Sequence, residues 1–168
     1  MIRFAALFVL LLAASFALEL TPPVQAAIVG PWTEGLARMS AGLLTMFDPN
    51  VAAFGRILQS TRNGFAVSIE AGCNGVEAAL ILICAMIAFP APWKHRLVGM
   101  AIGLVAVQAL NVLRVITLFY LGQWNASAFE WAHLYLWQAL VMLDVVIVWL
   151  VWIRSLPPRA PGSAPHAA

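Results

Sequence analysis

Four long apolar stretches dominate the chain, at about Phe4–Leu20, Cys73–Phe89, Leu97–Leu121 and Trp131–Ile153. A helix needs about 20 residues to cross a bilayer, with a range near 17–25, so each stretch reads as a span. The second is the weakest, because Glu77 sits in its first turn and Pro90 and Pro92 stop it early. The external segment 21–72 follows other periods. Trp32, Leu36, Met39, Leu43, Met46 and Phe47 recur every three or four residues, as on an amphipathic helix resting on the outer surface. Val51–Leu58 and Phe65–Glu70 read as two short strands joined through Asn63-Gly64, with Phe65, Val67 and Ile69 alternating against Ala66, Ser68 and Glu70. The pattern predicts an all-α multi-pass membrane protein with about four transmembrane helices, an external amphipathic helix and a short β-hairpin before the second span. Residues 1–154 form one membrane-embedded domain, and the Pro-, Ala- and Gly-rich segment 155–168 is expected to be a disordered cytoplasmic tail.

Charge orients these spans. Arg3, Lys94, Arg96, Arg154 and Arg159 fall on one side of a four-span chain, and all seven acidic residues lie elsewhere. Lysine and arginine mark the cytoplasmic side, which predicts both termini inside and the external segment outside. The first stretch has a second reading as a signal peptide, with Val24-Gln25-Ala26-Ala27 as the cleavage site. Gly99 and Gly103 form a Gly-x-x-x-Gly pattern that permits close helix contact.

Composition agrees. Of 168 residues 63% are hydrophobic and 10% charged, too apolar to cover a soluble domain with polar surface. A net charge of +2 without a dense basic run gives no reason to expect nucleic acid. Cys73 and Cys84, eleven residues apart, would be roughly 16 Å apart on one helix. A disulfide needs its Cα atoms within about 7 Å, so Cys73 enters as a free thiol. No cofactor is expected, and Cys73 and His133 have no obvious further metal ligands.

Three residues carry candidate chemistry. Cys73 lies between Gly72 and Asn74-Gly75, where the second strand gives way to the second span. Asn74 and Glu77 resemble a helix-capping box, and a thiol just before a helix N-terminus is biased toward thiolate. Its other reading is an inert buried cysteine, which suits Cys84 in a helix rich in alanine and isoleucine. Arg114 sits inside the outer half of the third span, where such a residue costs roughly 2.5–3.5 kcal/mol at the bilayer centre and so needs a partner or a wet cavity. With Gln108 and Asn111 it makes a polar face directed into the bundle; the alternative is an ion pair with Glu77 or Asp144, or snorkelling. His133 opens the fourth span and titrates near neutrality; Trp137, one turn deeper, is placed to fix its ring. Because spans alternate in direction, all three reach similar depth on the external side. Thiolate, imidazole and guanidinium suffice for acyl transfer.

Ala71-Gly72-Cys73-Asn74-Gly75, Asn111-Val112-Leu113-Arg114 and Trp131-Ala132-His133 resemble the signature blocks of the exosortase/archaeosortase family, and the short exosortase H branch in particular. The resemblance implies a membrane cysteine protease or transpeptidase with Cys73 as nucleophile, Arg114 as transition-state cation and His133 as proton carrier. Asn74, Glu77 and Asn111 would support them. The implied substrates are secreted proteins ending in a sorting motif of the Ile-Pro-Thr-Leu-x-x-Trp-Gly type, a transmembrane helix and a basic cluster. Water, a lipid or a glycan would accept the acyl group, and the enzyme would sit in a bacterial inner membrane. Two other readings compete. One is a small membrane scaffold or assembly subunit with Arg114 and Glu77 as internal glue. The other is a quinone-linked thiol oxidoreductase, which lacks the cysteine pairs it would need.

Overall fold

The computed structural model describes residues 2–157; most of the expected tail, with Arg159, lies outside them. Helix α1 (Ile2–Glu19) is apolar on every side, as a lipid-facing helix is. Pro22 and Pro23 occupy the first turn of a new helix, where their missing N–H groups go unneeded. This helix runs from α2 (Pro22–Val24) through a π-helical stretch (Gln25–Val29) into α3 (Gly30–Leu44). The corner is tied by Gln25, whose Nε2 donates to the Glu19 carbonyl at 2.9 Å and to Glu19 Oε1 at 3.0 Å.

Three strands follow, in the order β1-β2-β3 and all antiparallel: β1 (Val51–Phe54), β2 (Ile57–Ser60) and β3 (Ala66–Ser68). The expected single strand Val51–Leu58 is therefore two, folded back at Gly55-Arg56. Gly55 adopts φ +57, which supplies the two-residue turn that an unbroken strand would not contain. The turn expected at Asn63-Gly64 is present: Gly64 has φ +74, and Asn63 Oδ1 accepts from the Phe65 N–H at 3.0 Å.

Helix α3 also departs from its expected single apolar stripe. Leu36 is buried with the small residues Ala37, Ser40 and Ala41, while Met39, Leu43, Met46 and Phe47 stay exposed on the protein. The helix has two apolar faces. Small side chains let one pack closely on the sheet and the C-terminal half of α5, forming a core with Leu58, Ile69, Val112 and Phe119. The other is exposed.

Two further helices complete the long apolar elements: α5 (Trp93–Trp124), and α6 (Ala126–Trp131) continuing through a π-helical stretch (Ala132–Leu136) into α7 (Trp137–Arg154). Among the described residues three helices are long and apolar enough to cross a membrane: α1, α5 and the continuous Ala126–Arg154. The expected second span is shorter than the sequence suggests. Helix α4 (Val76–Ala88) has 13 residues, about 20 Å against a hydrocarbon core of about 30 Å. Asn74-Gly75 at its head and Pro90 at its foot prevent extension, so a count of four full spans does not follow from helix length.

Helix α4 is nonetheless central, packed on α1, α5 and α7. A second core joins Leu82 and Met86 of α4 to Val107 of α5 and Val141, Val145 and Trp152 of α7. Both glycines of the Gly-x-x-x-Gly pattern serve this contact. A Cβ on Gly99 would lie 2.2 Å from Trp152, and one on Gly103 would lie 2.7 Å from Leu82 Cδ2. Overpacking of this kind costs about 1–3 kcal/mol. Gly99→Val is expected to lower the midpoint of thermal unfolding in detergent by several degrees, whereas Gly42→Ala, where nothing approaches, should leave it in place.

Basic residues and aromatic rings gather at one end of the bundle. Phe4 lies 6.1 Å from Phe89 and 6.0 Å from Trp149 by ring centroid, Arg96 Nη2 donates to the Phe89 carbonyl at 2.9 Å, and Trp152 Nε1 donates to the His95 carbonyl at 3.1 Å. Arg3, Lys94, Arg96 and Arg154 adjoin these residues, opposite the end that carries the sheet and Cys73.

Candidate active site

The segment Gly72-Cys73-Asn74-Gly75 is a tight loop between β3 and α4, and its shape depends on its glycines. Gly72 has φ +81 and Gly75 has φ +74, a region that side chains other than glycine enter only at a cost. Gly75 also admits the Gln108 amide so closely that a Cβ would sit 2.8 Å from Nε2. The capping box expected of Asn74 and Glu77 is displaced. Asn74 Oδ1 accepts from the Val76 N–H at 3.1 Å, but Glu77 Oε1 reaches past Asn74 to the Gly72 N–H at 2.6 Å.

Helix α3 clamps the same loop. Trp32 Nε1 donates to the Asn74 carbonyl at 3.1 Å, and Asn74 Nδ2 donates to Thr33 Oγ1 at 3.2 Å. Asn74 is buried. Thr33 and this role for Trp32 escape a reading along the chain, because partners some 40 residues away leave no mark in local periodicity.

Helix α5 supplies the floor. Gln108, Asn111 and Arg114 form the inward polar face that their spacing predicts, and all three are buried. Arg114 does not make the ion pair its burial invites. Its Nη1 donates to the Gly72 carbonyl at 3.0 Å and its Nη2 to Cys73 Sγ at 3.3 Å. The one ion pair among the described residues joins Arg56 and Glu70 at 3.0 Å on the surface. Asp144, the other partner considered, has a buried Oδ2 with no hydrogen bond. Beneath Gly75, both amide atoms of Asn111 and Oε1 of Gln108 are buried without protein partners.

His133 approaches from the third side. Its Nε2 lies 3.1 Å from Cys73 Sγ, and its ring meets that of Phe129 edge-on at 5.5 Å. Trp137 does not fix the ring; it is buried near Leu118 and Ala132 instead. The π-helical stretch Ala132–Leu136 accounts for this. The wider turn changes the register of the residues that follow it relative to His133.

Sulfur, guanidinium and imidazole thus meet although they belong to a loop, the middle of one helix and the start of another. The loop placement alters the expected electrostatics. Cys73 precedes the first helical residue by three positions, and burial pushes its thiol above the ordinary range. Arg114 pulls it back, and Glu77 and Glu70 add to the rise. Burial thus works against the thiolate that a helix N-terminus would favour, and leaves a proton for a base to take. The rate of Cys73 alkylation by iodoacetamide should climb with pH to a midpoint above that of an ordinary thiol. Glu77→Gln keeps an acceptor for Gly72 and removes a negative charge, so it should move that midpoint down. A midpoint that stays in place would show that Glu77 does not act on the sulfur.

Two clefts reach the sulfur, one of about 280 Å³ between Gly72, Arg114, His133, Leu134 and Gln138, and a narrow one of about 40 Å³ beside Ser68 and Phe129. No cluster of three His, Cys, Asp or Glu side chains able to hold a metal occurs among the described residues.

Compared with known protein families, residues 2–152 match the one described as transmembrane exosortase (Exosortase_EpsH). The chain belongs to this family. The match covers α1 through α7 and all three residues of the constellation. No curated protein and no solved structure matches this exosortase-family chain.

Proposed function

We propose that this exosortase-family protein is a membrane-embedded cysteine peptidase or transpeptidase that cuts the C-terminal sorting signal of secreted proteins. The observation that carries the reading is Cys73 Sγ within 3.1 Å of His133 Nε2 and 3.3 Å of Arg114 Nη2. His133 takes the thiol proton at Nε2 as Sγ attacks the scissile carbonyl carbon, forming the C–S bond. The carbonyl electrons move onto oxygen, and Arg114 stabilises the negative charge. When the tetrahedral species collapses, the C–N bond breaks, the leaving amine takes the proton from His133, and a thioester remains on Cys73. Water, a lipid or a glycan nucleophile then releases the acyl group and restores the thiol.

Topology supports an external site. The basic end of the bundle belongs inside by the lysine and arginine rule, which sets Cys73 toward the periplasm or exterior with both termini in the cytoplasm. The close packing of α1 on α4 supports α1 as a retained helix rather than a cleaved leader. A scaffold role for Arg114 through an ion pair with Glu77 loses its basis, since Glu77 is engaged with Gly72.

Co-expression with a secreted protein ending in an Ile-Pro-Thr-Leu-x-x-Trp-Gly type motif, a transmembrane helix and a basic cluster tests the reading. Mass spectrometry should find the protein shortened near the motif only when the enzyme is present. A full-length C-terminus in both strains would overturn the proposal.

A further inference from the structure

The edge of the sheet faces the site. Strand β3 closes the order β1-β2-β3, so among the described residues one of its sides has no neighbouring strand and its outward groups have no backbone partner. Which residues face that side follows from the register. Ser60 donates to the Phe65 carbonyl at 2.8 Å and Ile69 donates to the Arg56 carbonyl at 3.0 Å, while Leu58 stands opposite Val67. Antiparallel pairs alternate between bonded and non-bonded, so Phe65, Val67 and Ile69 aim their N–H and C=O groups at β2. The intervening residues, Ala66 and Ser68, aim theirs outward. Both are exposed.

Those outward groups open onto a groove. On one side stands β3; on the other stand Phe129 and His133, with Gly122 of α5 at the base. This groove measures about 280 Å³ and continues into the narrow cleft that holds Cys73 and Arg114, with Val67, Ser68, Phe129 and His133 common to both. Its base depends on a glycine, since a Cβ on Gly122 would lie 2.4 Å from the Phe65 ring.

We infer that the substrate's sorting motif binds as a fourth strand on the edge of β3, pairing with the N–H and C=O groups of Ala66 and Ser68 so that its chain runs past His133 to the sulfur. The inference rests on the peptidase reading and names how that site holds its peptide. An added strand draws affinity from main-chain hydrogen bonds, and pockets for alternate side chains then select sequence. The occupant is an extended peptide because the open edge is continuous with the catalytic cleft, and a peptide strand is what completes it.

The test uses the full chain in liposomes and a synthetic peptide carrying the motif and its transmembrane segment. Single N-methyl groups are placed in turn along the motif. Cleavage should fall with a period of two residues, by roughly tenfold where methylation removes a hydrogen bond to β3. Ser68→Pro removes an outward N–H while leaving the bonds of Val67 and Ile69 to β2. It should raise KM roughly tenfold. If wild-type enzyme cuts the peptide but methylation shows no alternation, strand addition is wrong and the peptidase reading stands; this holds even where Ser68→Pro fails to fold. If wild-type enzyme leaves the peptide intact, both readings fall.

Discussion

Cys73→Ala and Cys73→Ser are expected to abolish processing of a sorting-signal substrate while the protein accumulates to its normal level. Loss of the nucleophile from a residue set that acts as a unit lowers turnover by roughly 10⁴- to 10⁶-fold. Serine is no rescue, because a hydroxyl gives up its proton far less readily than a thiol and His133 is placed for sulfur at 3.1 Å. Intact-mass measurement of substrate from strains expressing each variant supplies the check. The folded state should tolerate either change: Cys73 is half-buried, makes no disulfide and lies in a loop whose shape is set by Gly72, Asn74 and Gly75. Processing that survives in Cys73→Ala would remove the sulfur from the mechanism.

Arg114→Gln should lower turnover by roughly 10²- to 10³-fold, the usual effect of removing a donor that meets developing negative charge. The cation also holds the Cys73 thiol down against burial, so its loss should move the alkylation midpoint further up. Arg114→Lys should recover little. The guanidinium spans the Gly72 carbonyl and the sulfur with two nitrogens of one rigid fork, and a single ammonium lacks that geometry. Turnover is followed by substrate cleavage and the midpoint by alkylation at stepped pH. If both Gln and Lys kept normal turnover, Arg114 would be a structural tie to Gly72 only.

Much of this site is legible along the chain because each member breaks a local rule. Arg114 stands in an apolar helix with Gln108 and Asn111 three and six residues before it, and one face of α5 collects them. Cys73 sits among glycines at a change of periodicity, and His133 at the start of an apolar run. Alternating helix direction does the rest. What escaped lies in three dimensions or in small changes of helical pitch. Phe129, one turn before the histidine, packs on its ring where Trp137, beyond the π-helical stretch Ala132–Leu136, was expected. The two-residue turn at Gly55-Arg56 split one expected strand in two. The clamp from Trp32 and Thr33 onto Asn74 joins segments that share no sequence signal. Small residues on α3 were also misleading, since Ala37, Ser40 and Ala41 pack more tightly than the larger side chains that defined the apolar stripe.

The brevity of α4 bears on how matter reaches the sulfur. If Phe89 stands at the cytoplasmic boundary of the acyl region, as the proposed topology has it, 13 helical residues rise only about 20 Å, roughly two-thirds of the way across. On the proposed topology the thiol would then lie below the outer limit of the acyl region and be reached through the two clefts beside His133. Greasy electrophiles that dissolve in the leaflet have a shorter route to it than charged ones, and a thioester formed there would meet few water molecules before an acceptor arrives.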